Sequence, residues 1–294
     1  MAGVREIKSR IKAVRNIRRI TKTMQMIATS KFARAQHRAM ATKPYSEGVY
    51  ELVTELAAKA GNISHPLIDG PTGGAKGPVV YLVITSDRGL CGPYNGNVLR
   101  TAVRAVRAAE GKTRIEVVGR KGVSFLRFNG VEVAENHRQF GDKPAFEDVE
   151  KLARSYMDRF IRGEISGVRV AYMRFESTAR QRPEVLQLLP LKPPAPEASA
   201  DADVRTGRLV EYDFTPEPAV LLEDLLPVTV KTTLFQCFND AIVSEHVARM
   251  VAMKAATDNA GKMGKSLQQK YNRARQAQIT TELTEIISGA AALE

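Results

Sequence analysis

The chain has 294 residues, 44% of them hydrophobic and 26% charged, with a formal net charge of +12. That length and apolar content support a buried core, while no apolar run approaches the ~20 residues that cross a bilayer, so any membrane association is expected to be peripheral. Met1 is not followed by a signal-peptide pattern, and Cys91 and Cys237 stand far apart with no CxxC or Cys/His cluster, which suits a reducing compartment and speaks against a structural zinc.

The charge is concentrated at one end. Residues 1–43 carry twelve Lys and Arg against Glu6 alone, and the rest of the chain is nearly neutral. One acidic partner surface is therefore implied, whether nucleic acid, lipid headgroups or protein. Within this segment Ile7, Ile11, Val14, Ile17, Ile20, Met24 and Ile27 recur at steps of three and four, a narrow apolar stripe on a helix. With no proline before Pro44, the helix is expected to run to about residue 42, roughly 60 Å, and so thin a stripe calls for a partner helix.

The middle of the chain alternates in the manner of an open α/β sheet. Val79–Thr85 reads as a buried strand, Asn95–Ala109 as a helix, Arg114–Val118 as a strand and Gly122–Phe128 as a short helix. Val131–Ala134 follows as a strand, Phe146–Ile161 as a helix, Val168–Phe175 as a strand, and Val185–Pro190 as a further strand. The layout is Rossmann-like. Gly70–Pro78 reads as a linker and the Pro- and Ala-rich Lys192–Ala202 as an exposed loop.

From Pro227 onward there is again no proline, and helical spacing returns at Leu234, Phe238 and Ala241 and later at Met263, Leu267, Tyr271 and Ala274. Between them Ala248, Ala252, Ala255, Ala256 and Ala260 would let two helix backbones approach closely. Gly261 and Gly264 each cost a helix about 1 kcal/mol relative to alanine, so a turn over Asn259–Gly264 is the alternative to one continuous helix. The expected architecture is α/β: the N- and C-terminal helices form a long antiparallel coiled coil with an inserted Rossmann-like domain. The segments are 1–60 (helix), 75–195 (α/β domain), 196–217 (loop) and 218–294 (helix).

Candidate sites are few. Ser86-Asp87-Arg88-Gly89-Leu90-Cys91-Gly92 follows the strongest strand and precedes a helix, where a nucleotide loop or a nucleophile would sit. It lacks the GxGxxG spacing and the Gly-Lys-Ser/Thr of a P-loop, and no histidine lies near in sequence to activate Ser86 or Cys91. It is expected to be a tight turn, with Asp87 or Asn95 capping the next helix. Val118-Gly119-Arg120-Lys121-Gly122 could hold a phosphate, although a basic strand-end turn is the commoner use of such a segment. His37, His65, His137 and His246 are scattered, so no metal, cofactor or catalytic residue is assigned.

Four segments carry a resemblance. Ile20-Thr21-Lys22-Thr23-Met24-Gln25-Met26-Ile27-Ala28-Thr29-Ser30-Lys31, the turn Ser86–Gly92, and Arg249-Met250-Val251-Ala252-Met253-Lys254 with Ala256-Thr257-Asp258-Asn259 resemble motifs of the gamma subunit of F-type ATP synthases. Ile279-Thr280-Thr281-Glu282-Leu283-Thr284-Glu285-Ile286-Ile287-Ser288-Gly289-Ala290 is similar to that family's closing signature, the most specific of the set. Pro93 departs from the family, which often has glycine there.

The resemblance implies a central rotor shaft, not itself catalytic, that couples rotation of the membrane c-ring to conformational change in the catalytic beta subunits. It implies three alpha and three beta subunits, epsilon and the c-ring as partners, one copy per complex, no nucleic acid and no cofactor. It also implies a peripheral position on the cytoplasmic face of a bacterial inner membrane. Met24, Arg249, Gln276, Thr280, Glu282 and Glu285 match family positions implicated in coupling, and the small apolar Ser288–Leu293 suits turning in a greasy collar. A basic coiled coil that binds nucleic acid is the alternative, but Phe32 is the only aromatic residue in residues 1–43. An NAD(P)-dependent enzyme lacks the glycine spacing it would need. An organellar transit peptide shares the Arg-rich, acid-poor start, and the family motif inside that start argues that it is retained.

Overall fold

The computed structural model describes residues 3–60, 65–70, 77–191 and 217–291. Most of the Gly70–Pro78 linker, the Lys192–Ala202 loop, nearly all of the 196–217 segment and the last residues of Ser288–Leu293 lie outside them. The chain forms two compact units, one of residues 1–30 with 249–294 and one of residues 31–248.

Two long helices, α1 (Val4–Ala60) and α6 (Pro218–Ala291), run through both units. Each continues through the proline at which the sequence predicts a boundary: Pro44 lies inside α1 and Pro227 inside α6. A helical proline leaves the carbonyl four residues earlier without its donor. Those positions, Met40 and Glu223, are exposed, so water can supply the missing hydrogen bond. α6 likewise continues through Gly261 and Gly264, which excludes the turn over Asn259–Gly264.

In the first unit the helices pair antiparallel. Thr257 Oγ1 lies 2.8 Å from Thr21 Oγ1, both residues buried, and Gly261 and Gly264 face Arg18 and Val14. The buried and half-buried positions along the seam of α1 here are Val4, Ile7, Ile11, Val14, Thr21, Gln25 and Ala28, with Met24 half-buried beside them, and those of α6 include Met253, Thr257, Ala260, Gly264, Leu267, Tyr271 and Ala274. Both sets repeat with the 3.5-residue period that keeps a coiled seam facing its partner. The expected stripe therefore holds at Ile7, Ile11 and Val14 and again at half-buried Met24. Ile17, Ile20 and Ile27 are more than half exposed, as is Met263. The isoleucines advance by three residues too often to follow the seam, which passes instead through small and polar residues.

The second unit is built on a five-stranded sheet of order β3-β2-β1-β4-β5. Its strands are β1 (Val79–Ile84), β2 (Thr113–Val118), β3 (Glu135–His137), β4 (Gly167–Phe175) and β5 (Gln181–Leu189). The first four are parallel and β5 is antiparallel to β4. The helices are the short α2 (Pro66–Asp69), α3 (Tyr94–Arg107), α4 (Arg120–Phe128) and α5 (Phe146–Ile161). Val80, Leu82 and Ile84 of β1 point toward α5 and α6, while Tyr81 and Val83 point toward α3 and α4. Both faces of the sheet are thus buried, as parallel strands require.

One strand differs from expectation. Val131–Ala134 is not a strand: Ala134 N donates to the Ile115 carbonyl of β2 at 2.9 Å where the pairing begins, Val131 and Val133 pack against the α3–α4 cluster, and the strand proper is the polar Glu135–His137.

Candidate functional site

The β1–α3 turn is tied down from within. Asn95 accepts from the Ser86 backbone N–H at 3.0 Å and donates to Ser86 Oγ at 2.7 Å and Cys91 Sγ at 3.2 Å. Ser86 Oγ donates to the Arg88 carbonyl at 2.7 Å, and Ser86 and Cys91 are both buried. Neither group is presented as a nucleophile. Leu90 at the tip has φ 64 and is 60% exposed, an unusual conformation and setting for a leucine.

The basic turn at Val118–Gly122 is the start of α4, and its amides are already engaged. Arg120 N donates to Asp87 Oδ1 at 3.0 Å, Lys121 N to the Ser86 carbonyl at 3.1 Å and Gly122 N to Thr85 Oγ1 at 3.0 Å. A phosphate would have to displace all three. Asp87 thus caps α4, not the α3 helix that comes next in sequence. Gly119 permits the close approach: with φ 93, a Cβ there would stand 2.2 Å from the Thr85 carbonyl oxygen.

In an open parallel sheet the carboxyl ends of the strands form the usual ligand crevice. Here Phe238, Ala241 and Ile242 of α6 enter it and Phe140 packs on Phe238 at 4.5 Å. The space left is about 30 Å³. That holds a water molecule, whereas small-molecule sites occupy roughly 300–1,000 Å³.

Glu116, Glu135 and His137 come together as metal ligands could. Glu116 is fully buried, and both of its oxygens are spoken for. Oε1 accepts from Arg114 Nε and Arg159 Nη1, each at 3.2 Å, and Oε2 accepts from Tyr156 Oη at 2.7 Å and lies 3.1 Å from His137 Nε2. Burial would raise this carboxyl's pKa, but the hydrogen bonds of His137 and Tyr156 and the Arg159 charge overcome it and hold it at about 2. Two arginines at the same carboxylate oppose a further cation, so the cluster is a structural ion network.

The surfaces that remain are on the long helices. Met24 is half-buried beside the seam of α1, and Arg249 of α6 is buried. Gln276, Thr280, Glu282 and Glu285 are exposed on α6. Thr280 Oγ1 donates to the Gln276 carbonyl at 3.0 Å, and Glu282 accepts from Gln278 at 2.8 Å. The six expected residues thus fall in two groups, Met24 and Arg249 within the paired stretch and the other four beyond Ala274, the last half-buried residue of α6. Every described side chain from Arg275 to Ala290 is exposed, among them Ile279, Leu283, Ile286 and Ile287, which form a stripe along one side. The sequence reading expects polar contacts at this level; the isoleucine and leucine spacing is the available signal for an apolar surface. No helix among the described residues is long and apolar enough to cross a membrane.

Comparison with known proteins gives one consistent answer. The family profile described as ATP synthase matches residues 3–293. An ATP synthase gamma chain from Rhodopirellula baltica is 42% identical over 297 residues, covering 100% of both chains, and one from Glaesserella parasuis is 39% identical over 296 residues with the same coverage. Among solved structures, a chain of the Euglena gracilis mitochondrial ATP synthase rotor matches with a TM-score of 0.64 at 17% identity, covering 94% of this chain and 98% of that one. A chain of the OSCP/F1/c-ring structure of the same enzyme gives a TM-score of 0.65 at 18% identity, with 99% and 94% covered. At such identity these two speak to the fold alone. With full-length relatives on one side and an α/β unit between paired terminal helices on the other, the chain belongs to the ATP synthase gamma chain family.

Proposed function

We propose that the chain is the central rotor shaft of a proton-translocating F-type ATP synthase, a non-catalytic subunit that carries rotation of the membrane c-ring to the catalytic beta subunits. The observation that carries this reading is the last stretch of α6. From Arg275 to Ala290 it is helical with all described side chains exposed and an apolar stripe through Ile279, Leu283, Ile286 and Ile287. A single helix of that length is marginal in water, and such a stripe calls for a sheath supplied by other chains. A ring of three alpha and three beta subunits around one copy of this chain is such a sheath. In this reading 1–60 and 218–294 are the shaft helices, 75–195 the α/β part and 196–217 a connecting loop. The α/β part stands on the c-ring beside epsilon, at the cytoplasmic face of a bacterial inner membrane.

The mechanism needs stiffness and asymmetry. Two paired helices resist bending, and their exposed side chains differ from face to face, so each of three catalytic subunits meets different contacts at each angle. Met24, Arg249, Gln276, Thr280, Glu282 and Glu285 are the contacts proposed to be exchanged during the turn. Nucleotide chemistry belongs to the beta subunits, in keeping with a sheet crevice filled by α6.

The test is reconstitution of the purified chain with alpha and beta subunits lacking gamma, followed by sizing and an assay of magnesium-dependent ATP hydrolysis. One chain per ring with hydrolysis restored is the expected result. Failure to assemble, with salt-sensitive binding to DNA instead, would overturn it.

A further inference from the structure

We propose that Asp142 is a positioning residue: its carboxylate clamps α1, at Lys31, to the carboxyl-end rim of the sheet, so that the second unit transmits torque without α1 rolling within it. The inference rests on the shaft reading above. Asp142 lies in the β3–α5 loop and accepts a hydrogen bond from Lys31 Nζ. Lys31 is the first residue of the second unit, and α6 passes out of that unit after Ala248. The Lys31 hydrogen bond, helped by the charges of His246 on α6 and Arg88 in the β1–α3 turn, holds the Asp142 carboxyl below the usual carboxylate range. Three elements therefore converge electrostatically on this one group. The rigid hydrogen-bonded turn that presents Arg88 gains a purpose here that no catalytic reading gives it.

A clamp adds to apolar attachments of α1 that are shallow at this level. Phe32 meets Phe175 at a centroid distance of 6.3 Å, and Ala35 and Ala39 pack on Ile242 and Val243. Methyl-sized knobs offer little resistance to roll, whereas a charge-assisted hydrogen bond is short and directional. Further along, Val53 and Leu56 root α1 in the same core as Leu226, Val230, Leu234 and Phe238 of α6, so the end of α1 that needs holding is its exit at Lys31. The Lys31 and Asp142 side chains are 31% and 47% exposed, and a pair so placed adds little to stability. Its contribution is to geometry, so stiffness and stability should separate.

The experiment fixes the reconstituted alpha–beta ring to a surface and attaches a bead through a cysteine placed at exposed Arg107 of the full-length chain. The angular variance of the stalled rotor then reports torsional stiffness. Asp142→Ala and Lys31→Met are expected to raise the variance on the order of twofold, with the thermal midpoint of the isolated chain unchanged, and Lys31→Arg to stay near wild type. Unchanged variance in Asp142→Ala, or Lys31→Arg as soft as Lys31→Met, would overturn the clamp. A wild-type chain that does not assemble into a ring sinks the shaft reading instead.

Discussion

Replacing Glu116 with glutamine keeps the shape of a fully buried side chain and removes its charge from Arg114, Arg159, His137 and Tyr156. In the folded chain this carboxyl titrates at about 2, against an ordinary value of 4.5. At 1.36 kcal/mol per pH unit the difference corresponds to about 3 kcal/mol in favour of the folded state. Because the folded value lies below the unfolded one, the stabilisation is complete above pH 4.5 and is lost as pH falls toward 2. Glu116→Gln should therefore cost about 3 kcal/mol at pH 7, and the two proteins should converge near pH 2. Urea unfolding measures this, followed by near-UV circular dichroism of the buried tyrosines, since the chain has no tryptophan. A penalty under about 1 kcal/mol at pH 7, or a gap that stays constant to pH 2, would refute the reasoning.

Asp240 shows the opposite sign. Burial raises its pKa to about 6, only partly offset by the hydrogen bonds of Gln236 and the Phe175 backbone. Ionising it weakens the fold progressively from pH 3.8 to about 6, so Asp240→Asn should stabilise by about 3 kcal/mol at pH 8 and by little at pH 4, read from thermal midpoints. Gly119→Ala, with a Cβ 2.2 Å from a backbone oxygen at φ 93, should cost about 3 kcal/mol or more. Gly130→Ala, at φ 69 but in open space, should cost about 1 kcal/mol in the same unfolding assay. A lysine in place of the half-buried Met24 is expected to over-stabilise one rotor angle and lower the protons pumped per ATP in proteoliposomes; normal pumping efficiency would count against a coupling role for this position.

Where burial is one-sided or complete and the partner lies nearby in sequence, the residues are legible. Val79–Ile84 reads as a strand because both its faces are covered, and α5 begins and ends where its spacing says, at Phe146 and Ile161. β3 is hidden for the opposite reason. Its Glu135 and His137 look like loop residues until Glu116 of the neighbouring strand supplies a partner, while the apolar Val131 and Val133 before it are packing in a connection. The proposed polar coupling contacts rest on the family resemblance alone; the apolar stripe beyond Ala274 is present in the spacing and becomes meaningful once every described side chain there proves exposed.

By itself the sequence determined the class of fold, the helical ends, the concentration of charge in residues 1–43 and the family, because these depend on local periodicity, composition and motifs. Only the tertiary structure decided which face of α1 is the seam, that α6 fills the sheet crevice, and that Asp87 caps α4 instead of α3. A helix can be amphipathic on more than one side, and a turn can cap more than one neighbour. The choice between them is made by the partner that arrives, hundreds of residues away for Thr21 and Thr257, and short-range pattern carries no record of that distance.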